Sequence, residues 1–220
     1  MIDVSVIIPY HQDRGYLFDA IESYEAQDFK GTSELILSHN PTFSQGQNIN
    51  AALGKVNGKY VKILHDDDLL TPNCLQDLFD VAECKQADLV FSQALNINAG
   101  VKTARTGFED EGLSLPKTQD FSLESLLSNN FIHGGTVLIR TEMMKALGGY
   151  DESLSVAEEY DFHLKCLYHG YRIYYTPVVV THYRMWPGSK SVQDRLTQNE
   201  KRNKMVNEIK SRYYTEPSNT

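Results

Sequence analysis

The sequence predicts an α/β fold in which a mostly parallel sheet carries helices on both faces. Three observations carry that expectation. The chain opens on VSVIIP (Val4 to Pro9), a continuous β-branched run without polar alternation, as a strand buried on both faces requires. Four such short runs then alternate with segments of helical periodicity, and a β-α-β order that repeats demands right-handed crossovers and a parallel sheet. Finally, 220 residues with 41% hydrophobic and 23% charged side chains are ordinary for a soluble globular chain and enough to bury a substantial core.

The elements follow in order. After Val4 to Pro9, RGYLFDAIESYEAQ places Leu17, Ile21 and Tyr24 at helical spacing. SELILS (Ser33 to Ser38) reads as the second strand. SQGQNINAALGKVNG reads as a helix with Ile49, Ala52, Leu53 and Val56 on one face, ended by Gly58. KYVKILH is the third strand. TPNCLQDLFDVAECKQA starts a helix with Thr71 as N-cap and Pro72 at its first position. DLVFSQALNI is the fourth strand. Asn98 to Lys117, rich in Gly, Thr and charge, reads as a loop. FSLESLLSNN is a short helix, GGTVLIR a strand, and TEMMKALGGYD a helix stopped by Gly148 and Gly149. SVAEEYDFHLKCLYHGY is an amphipathic helix with Phe162, Cys166 and Leu167 inward, and RIYYTPVVVTHYR is a further strand. The tail from Asp194 reads as a helix fading into a disordered TEPSNT.

Charge and cysteine use narrow the function classes. The formal net charge of −8 leaves no basic excess to neutralise a phosphate backbone, so nucleic acid is not an expected partner. Cys74, Cys84 and Cys166 form no CxxC pair, which fits a reducing, cytosolic compartment. MIDVSVIIPYHQDR carries an acid at Asp3 and too short an apolar run for a signal peptide. No apolar run nears the ~20 residues of a membrane span, so any membrane association is expected to be peripheral.

The run HDDD, His65 to Asp68, carries the most chemistry. It falls at the carboxyl end of the third strand, where ligands bind in such sheets. One Asp is accounted for by capping the next turn. Three beside a histidine point to a divalent cation, Mg²⁺ or Mn²⁺, with the imidazole favouring Mn²⁺.

Here the chain resembles family 2 glycosyltransferases. That family opens on a sviiPvyN strand, which SVIIPYH matches, and continues with ARNxGixxAxGeYixfLDaDDxxxP. Asn50, Gly58, Tyr60, Leu64, Asp67, Asp68 and Pro72 fall on its positions. GGYDESLSVAEEYDFHLKCLYHGYRI matches GgFDexlxxxEDyDlwlRlxxxGyki, and YRMWPGSKS matches yRxHxxSxS. The resemblance spans Ser5 to Ser191. It implies a GT-A fold, with a small antiparallel addition in the C-terminal half of the sheet. It also implies a metal-dependent inverting transfer from a nucleotide-diphospho-sugar, UDP first and GDP or dTDP next, to a hydroxyl acceptor, expected on a glycan. Residues 1–192 would form one domain, with 1–97 holding nucleotide and 98–192 holding acceptor and catalytic groups. Residues 193–220 would be a C-terminal helix and tail.

The resemblance also assigns residues. Pro9, Tyr10 and His11 would line the base, although strand-end packing also accounts for Tyr10. Asn50 and Asp66 join the nucleotide site. Asp67, Asp68 and His182 would hold Mn²⁺ or Mg²⁺, with Asp67 first; a backbone-bonded strand-end histidine is the other reading of His182. Glu159 stands where the family places its base, with Glu158 and Asp161 as alternates. Three acids at a helix start also suit the helix macrodipole alone. His133, Gly134 and Gly135 would approach sugar and acceptor, the glycines by close backbone contact. Arg184 and Lys190 would contact the diphosphate, with Ser189 and Ser191 as further donors.

The chain departs from the family pattern in three places: Ser38, His39 and Asn40 replace its acidic turn, His65 replaces its first Asp, and Trp186 replaces its histidine. Asn40 can still bond a ribose hydroxyl, and Trp186 offers an aromatic face to a sugar or base. A binding module without turnover, or a nucleotidyltransferase, are the alternatives. The latter would want a Gly-rich basic loop where YHQDRGY stands. A dinucleotide-dependent dehydrogenase lacks its GxGxxG.

Overall fold

The computed structural model describes residues 1–98, 101–105, 121–186 and 200–214, with 101–105 as backbone. One mixed sheet organises them. Its strands are β1 (Val4–Tyr10), β2 (Ser33–His39), β3 (Tyr60–Ile63), β4 (Leu69–Leu70), β5 (Leu89–Asn98), β6 (Val101–Arg105), β7 (Leu138–Arg140) and β8 (Ile173–Arg184). The spatial order is β2-β1-β3-β7-β5-β8-β4, with β6 paired to β5. β1 is parallel to β2 and β3, β5 is parallel to β8, and β7 runs antiparallel to both β3 and β5. β1, β2, β3, β5 and β8 therefore share one direction. The antiparallel addition expected in the C-terminal half is inserted at the centre of the sheet as β7.

The helices are α1 (Leu17–Glu25), α2 (Gln45–Ala52), α3 (Cys74–Lys85), α4 (Leu123–Ser128), α5 (Thr141–Ala146), α6 (Glu158–Tyr168) and α7 (Glu200–Tyr213). Strand alternation sends Val4, Val6 and Ile8 to one face, against Ala20 of α1 and Cys74, Leu75 and Leu78 of α3. Ile7, Val61 and Ile63 face the other way, toward α2, α4, α6 and Ile209 of α7. Two apolar layers sandwich the sheet, each fully buried aliphatic side chain contributing about 1.5–3 kcal/mol.

Several boundaries differ from the sequence reading. α2 ends at Ala52 and passes into a short 3₁₀ turn, Leu53–Lys55, so Gly58 does not stop it. Gly58 instead lets β3 enter beside β1: a Cβ there would sit 2.4 Å from the Ser5 nitrogen. Asn73, not Thr71, holds the N-cap position of α3, without a side-chain capping bond, and the Thr71 carbonyl accepts the Cys74 N–H in a preceding turn. Part of the expected loop, 101–105, is strand β6. Only Leu138–Arg140 of GGTVLIR is strand, because Gly134–Thr136 forms a 3₁₀ turn. Gly148 and Gly149 do end α5, with φ of +77° and +72°. The expected disordered end, 215–220, lies outside the described residues. Among the described residues, no helix is long and apolar enough to cross a membrane.

Candidate functional site

The parallel strands β1, β2 and β3 end along one edge, and the chain leaves β3 through His65 to Asp68. Each of the three aspartates meets a different partner. Asp66 faces the Arg14 guanidinium at 3.9 Å. Asp67 Oδ2 accepts the Trp186 indole N–H at 2.9 Å. Asp68, 1% exposed, accepts the Arg184 backbone N–H at 2.9 Å on one oxygen and contacts His65 Nδ1 at 3.2 Å with the other. Burial raises the Asp66 pKa, with Asp67 adding to the effect and Arg14 opposing it. Burial also raises that of Asp68, against the pull of the His65 hydrogen bond.

His65 reaches in the other direction as well. Its Nε2 lies 3.3 Å from Glu159 Oε1, an ion-pair contact off the line of a hydrogen bond. Burial alone would lower the His65 pKa, but Asp68 and Glu159 outweigh it and raise it well above the usual imidazole value. Burial likewise pushes Glu159 up, and the His65 contact and charge, aided by His133 and His163, overcome it and hold Glu159 at about 2. Imidazolium thus joins two carboxylates, one from the end of β3 and one from the first turn of α6. Gln45, in the first turn of α2, adds an amide donor to Glu159 Oε1 at 3.3 Å.

The floor under Glu159 is Gly134. A Cβ at that position would lie 2.2 Å from the Glu159 carboxyl carbon. The turn that carries Gly134 and Gly135 is pinned from below. The Gly135 carbonyl accepts both Lys62 Nζ and Thr181 Oγ1 at 2.7 Å. Lys62 is fully buried, and its ammonium also donates to the Ile63 carbonyl. His133 accepts the Gly135 N–H at 3.2 Å and packs edge-on against Tyr183.

The other residues assigned from sequence sort clearly. Tyr10 stacks on His39, ring centroids 4.5 Å apart, where the ends of β1 and β2 lie in register. Pro9 is buried in β1, and His11 stands 3.4 Å from Arg14. The Asn40 side chain closes a local turn on Thr42. Asn50, expected at the nucleotide, is spent elsewhere. Its amide bonds both the N–H and carbonyl of Tyr150 and reaches Glu152. The alternates to Glu159 diverge from it. Asp161 is buried and accepts Arg212 and the Tyr213 hydroxyl, which fasten α7 to α6. Glu158 is buried, and its side chain lies beside Gly46 of α2. Arg184 stacks its guanidinium 4.4 Å over Tyr16 and donates to the Asp67 carbonyl and Asp19. His182 sits in β8 opposite Leu69. Lys190, Ser189 and Ser191 lie outside the described residues.

Sequence reasoning missed the role of His65 as a bridge, together with Arg14, Gln45, Lys62 and His163. A lysine inside an apolar strand was a visible signal for Lys62. The others depend on long-range contacts.

Among the described residues, no three His, Cys, Asp or Glu side chains converge as a complete metal cage. The donor set fits a hard cation that takes one or two carboxylates and completes its shell from phosphate. Asp67 is suited to that, because among the described residues its side chain is held by a neutral indole N–H.

Comparison with known proteins agrees with this architecture. The sequence profile described as glycosyltransferase like family 2 matches residues 31–208. An uncharacterized glycosyltransferase of Methanocaldococcus jannaschii is 24% identical over 197 residues, 77% of this chain and 66% of the relative. One from Rickettsia typhi is 28% identical over 188 residues, 74% of this chain and 58% of the relative. The chain thus spans 58–66% of the length of these two relatives. TarS 1–349 of S. aureus, solved in complex with UDP, superposes with a TM-score of 0.63 at 18% identity, covering 84% of this chain and 61% of TarS 1–349. The mannosyltransferase PcManGT of Pyrobaculum calidifontis, solved with GDP-Man and Mn²⁺, gives 0.65 at 14% identity, covering 97% of this chain and 65% of its own. At such identities the likeness is one of fold, and that fold is GT-A. With the family profile matched across most of its length, the chain belongs to the glycosyltransferase-like family 2.

Proposed function

We propose that this domain moves a glycosyl group from a nucleotide-diphospho-sugar to a hydroxyl acceptor with inversion at the anomeric carbon. The observation that carries this reading is the His65 contact at 3.3 Å to Glu159. Through it, Asp68, next in the chain to the carboxylates suited to a donor diphosphate, and the carboxylate suited to an acceptor hydroxyl share one imidazolium, above a glycine floor.

The residues divide the work. The Tyr10–His39 stack presents an aromatic surface to the base, and Arg14, facing Asp66, serves as a donor to phosphate oxygens. Gly134 and Gly135 let the sugar approach backbone. Glu159 takes the acceptor proton as the new C–O bond forms and the anomeric C–O bond to the diphosphate breaks. A carboxylate held at about 2 is a weak base. Its proton transfer therefore comes late, when bond formation has made the hydroxyl acidic. His65 keeps Glu159 ionised and aimed. Asp67, with Asp66 beside it, would hold Mn²⁺ or Mg²⁺, which when bound supplies Lewis-acid stabilisation of the departing nucleoside diphosphate.

Calorimetry with UDP-, GDP- and dTDP-sugars, each with Mn²⁺ or with EDTA, tests the donor half. Binding of one nucleotide class that EDTA removes is the expected result. Glu159→Gln should keep that binding and lose turnover by roughly 10²–10⁴-fold. Undiminished turnover in Glu159→Gln, or no binding of any nucleotide sugar, would overturn the reading.

A further inference from the structure

Trp186 is the single tryptophan of the chain. It follows β8, and its indole is held on three sides. Nε1–H donates to Asp67 Oδ2 at 2.9 Å. Tyr16 tilts against the ring at 5.7 Å between centroids, and the Arg14 guanidinium lies 5.7 Å from the ring centroid. Arg184, two residues earlier, fixes the same stretch to the aspartate run through its backbone N–H on Asp68 and its Nε on the Asp67 carbonyl.

The three aspartates differ in how readily their partners can leave. Removing His65 from Asp68 would strand a buried charge, at a cost far above that of one neutral hydrogen bond. Asp66 is paired to a cation. Asp67 alone, among the described residues of the run, has a neutral side-chain partner. The indole N–H is a donor with no acceptor capacity. Its proton occupies a lone pair of Oδ2, so a cation drawn to that oxygen competes with it.

We propose that Trp186 is a built-in competitor for the divalent cation at Asp67. Ligation of Oδ2 expels the indole N–H, so cation occupancy is transmitted directly to the end of β8. Trp186 then sets how tightly the site takes a cation, and its release frees an aromatic face beside Tyr16 and Arg14. The inference rests on reading Asp67 as the cation-binding carboxylate.

Because there is one tryptophan, its emission reports this residue alone. The full chain is titrated with MgCl₂, which does not itself quench indole, with and without UDP, and cation binding is measured in parallel by calorimetry with MnCl₂. Saturation should move the emission to longer wavelength and raise acrylamide quenching as the indole leaves Asp67. Trp186→Phe keeps the ring against Tyr16 and Arg14 but lacks the N–H. It should bind Mn²⁺ on the order of tenfold more tightly, the size of one hydrogen bond to a charged group. Thermal melting checks that the variant is folded, and the wild-type emission response needs no variant at all. Cation binding with unchanged emission and equal affinity in Trp186→Phe would overturn the competition and leave the cation site standing. No cation binding in either protein, with or without UDP, would instead overturn the cation reading of Asp67, and the competition with it.

Discussion

Replacing Gly134 by alanine tests the placement of Glu159 without touching its carboxylate. The new Cβ would lie 2.2 Å from Glu159 Cδ and 2.3 Å from Oε1. Ordinary contact begins at 3.4 Å, so the carboxylate must retreat by about 1.2 Å, the difference of those two distances. The backbone at Gly134 is not in the left-handed region, so alanine adds no strain of its own. The obstruction is the far end of a side chain that keeps 30% exposure and has room to move. Retreat stretches the 3.3 Å contacts to His65 and Gln45. A hydrogen bond to a charged group is worth about 1.5–3 kcal/mol, which a domain of ordinary stability survives. Catalysis is less forgiving: a displacement of about 1 Å costs on the order of 10²-fold in rate. Gly134→Ala should therefore melt a few degrees lower and lose about two decades of kcat. Freed from His65, Glu159 should also titrate higher than about 2, moving toward the model-peptide value of 4.5, as read by carboxyl ¹³C NMR. Wild-type kcat in a variant whose Glu159 has shifted in this way would refute the assignment of Glu159 as base.

Two further predictions concern groups around the site. His163 is fully buried one turn beyond Glu159, with neither ring nitrogen hydrogen-bonded among the described residues. Burial lowers its pKa to about 4, against the opposing pull of Glu159. The unfolded chain, titrating near 6.5, binds a proton that the folded chain refuses, so stability is full above that value and falls as pH drops from 6.5 toward 4. His163→Leu should remove that loss, gaining about 2 kcal/mol over the wild type at pH 5 relative to pH 7 in urea unfolding; parallel pH profiles would refute it. Asn50→Ala should lower the melting temperature by the equivalent of about 2 kcal/mol, since it abandons the Tyr150 backbone groups, and leave nucleotide affinity unchanged. Weakened donor binding at undiminished stability would return Asn50 to the nucleotide site.

How much of this was legible depends on the range of the contacts involved. β1 is readable because a strand buried on both faces must be continuously apolar, and VSVIIP is. The glycine pair ending α5 is readable because positive φ has a local signature. β7 is not: three residues cannot announce that they will insert antiparallel between β3 and β5. The aspartate run could be placed at a strand end, but not its partners. His65 meets Glu159 across 94 positions, and Arg212 meets Asp161 across 51. Asn50 shows the limit of motif matching, since the residue fits the family pattern while its amide serves the Gly149–Tyr150 turn. A Cβ on Gly149 would stand 2.2 Å from that amide oxygen, so the glycine answers to Asn50 as well as to its own φ.

Two of the departures from the family pattern gain a common explanation from the same geometry. His65 stands where an aspartate is usual and Trp186 where a histidine is usual, and they act on adjacent carboxylates, Asp68 and Asp67. An aspartate at position 65 would have added a third negative charge between Asp68 and Glu159, where like charges force one another to protonate. Histidine converts that repulsion into two attractions and keeps Glu159 ionised. With the positive charge supplied there, Asp67 needs no charged partner of its own. A histidine at position 186 could carry a proton or ligate a metal; an indole can do neither and only donates. The two replacements therefore complement each other. One moves fixed positive charge inward, to the acid at the head of α6, and the other leaves Asp67 under a neutral donor.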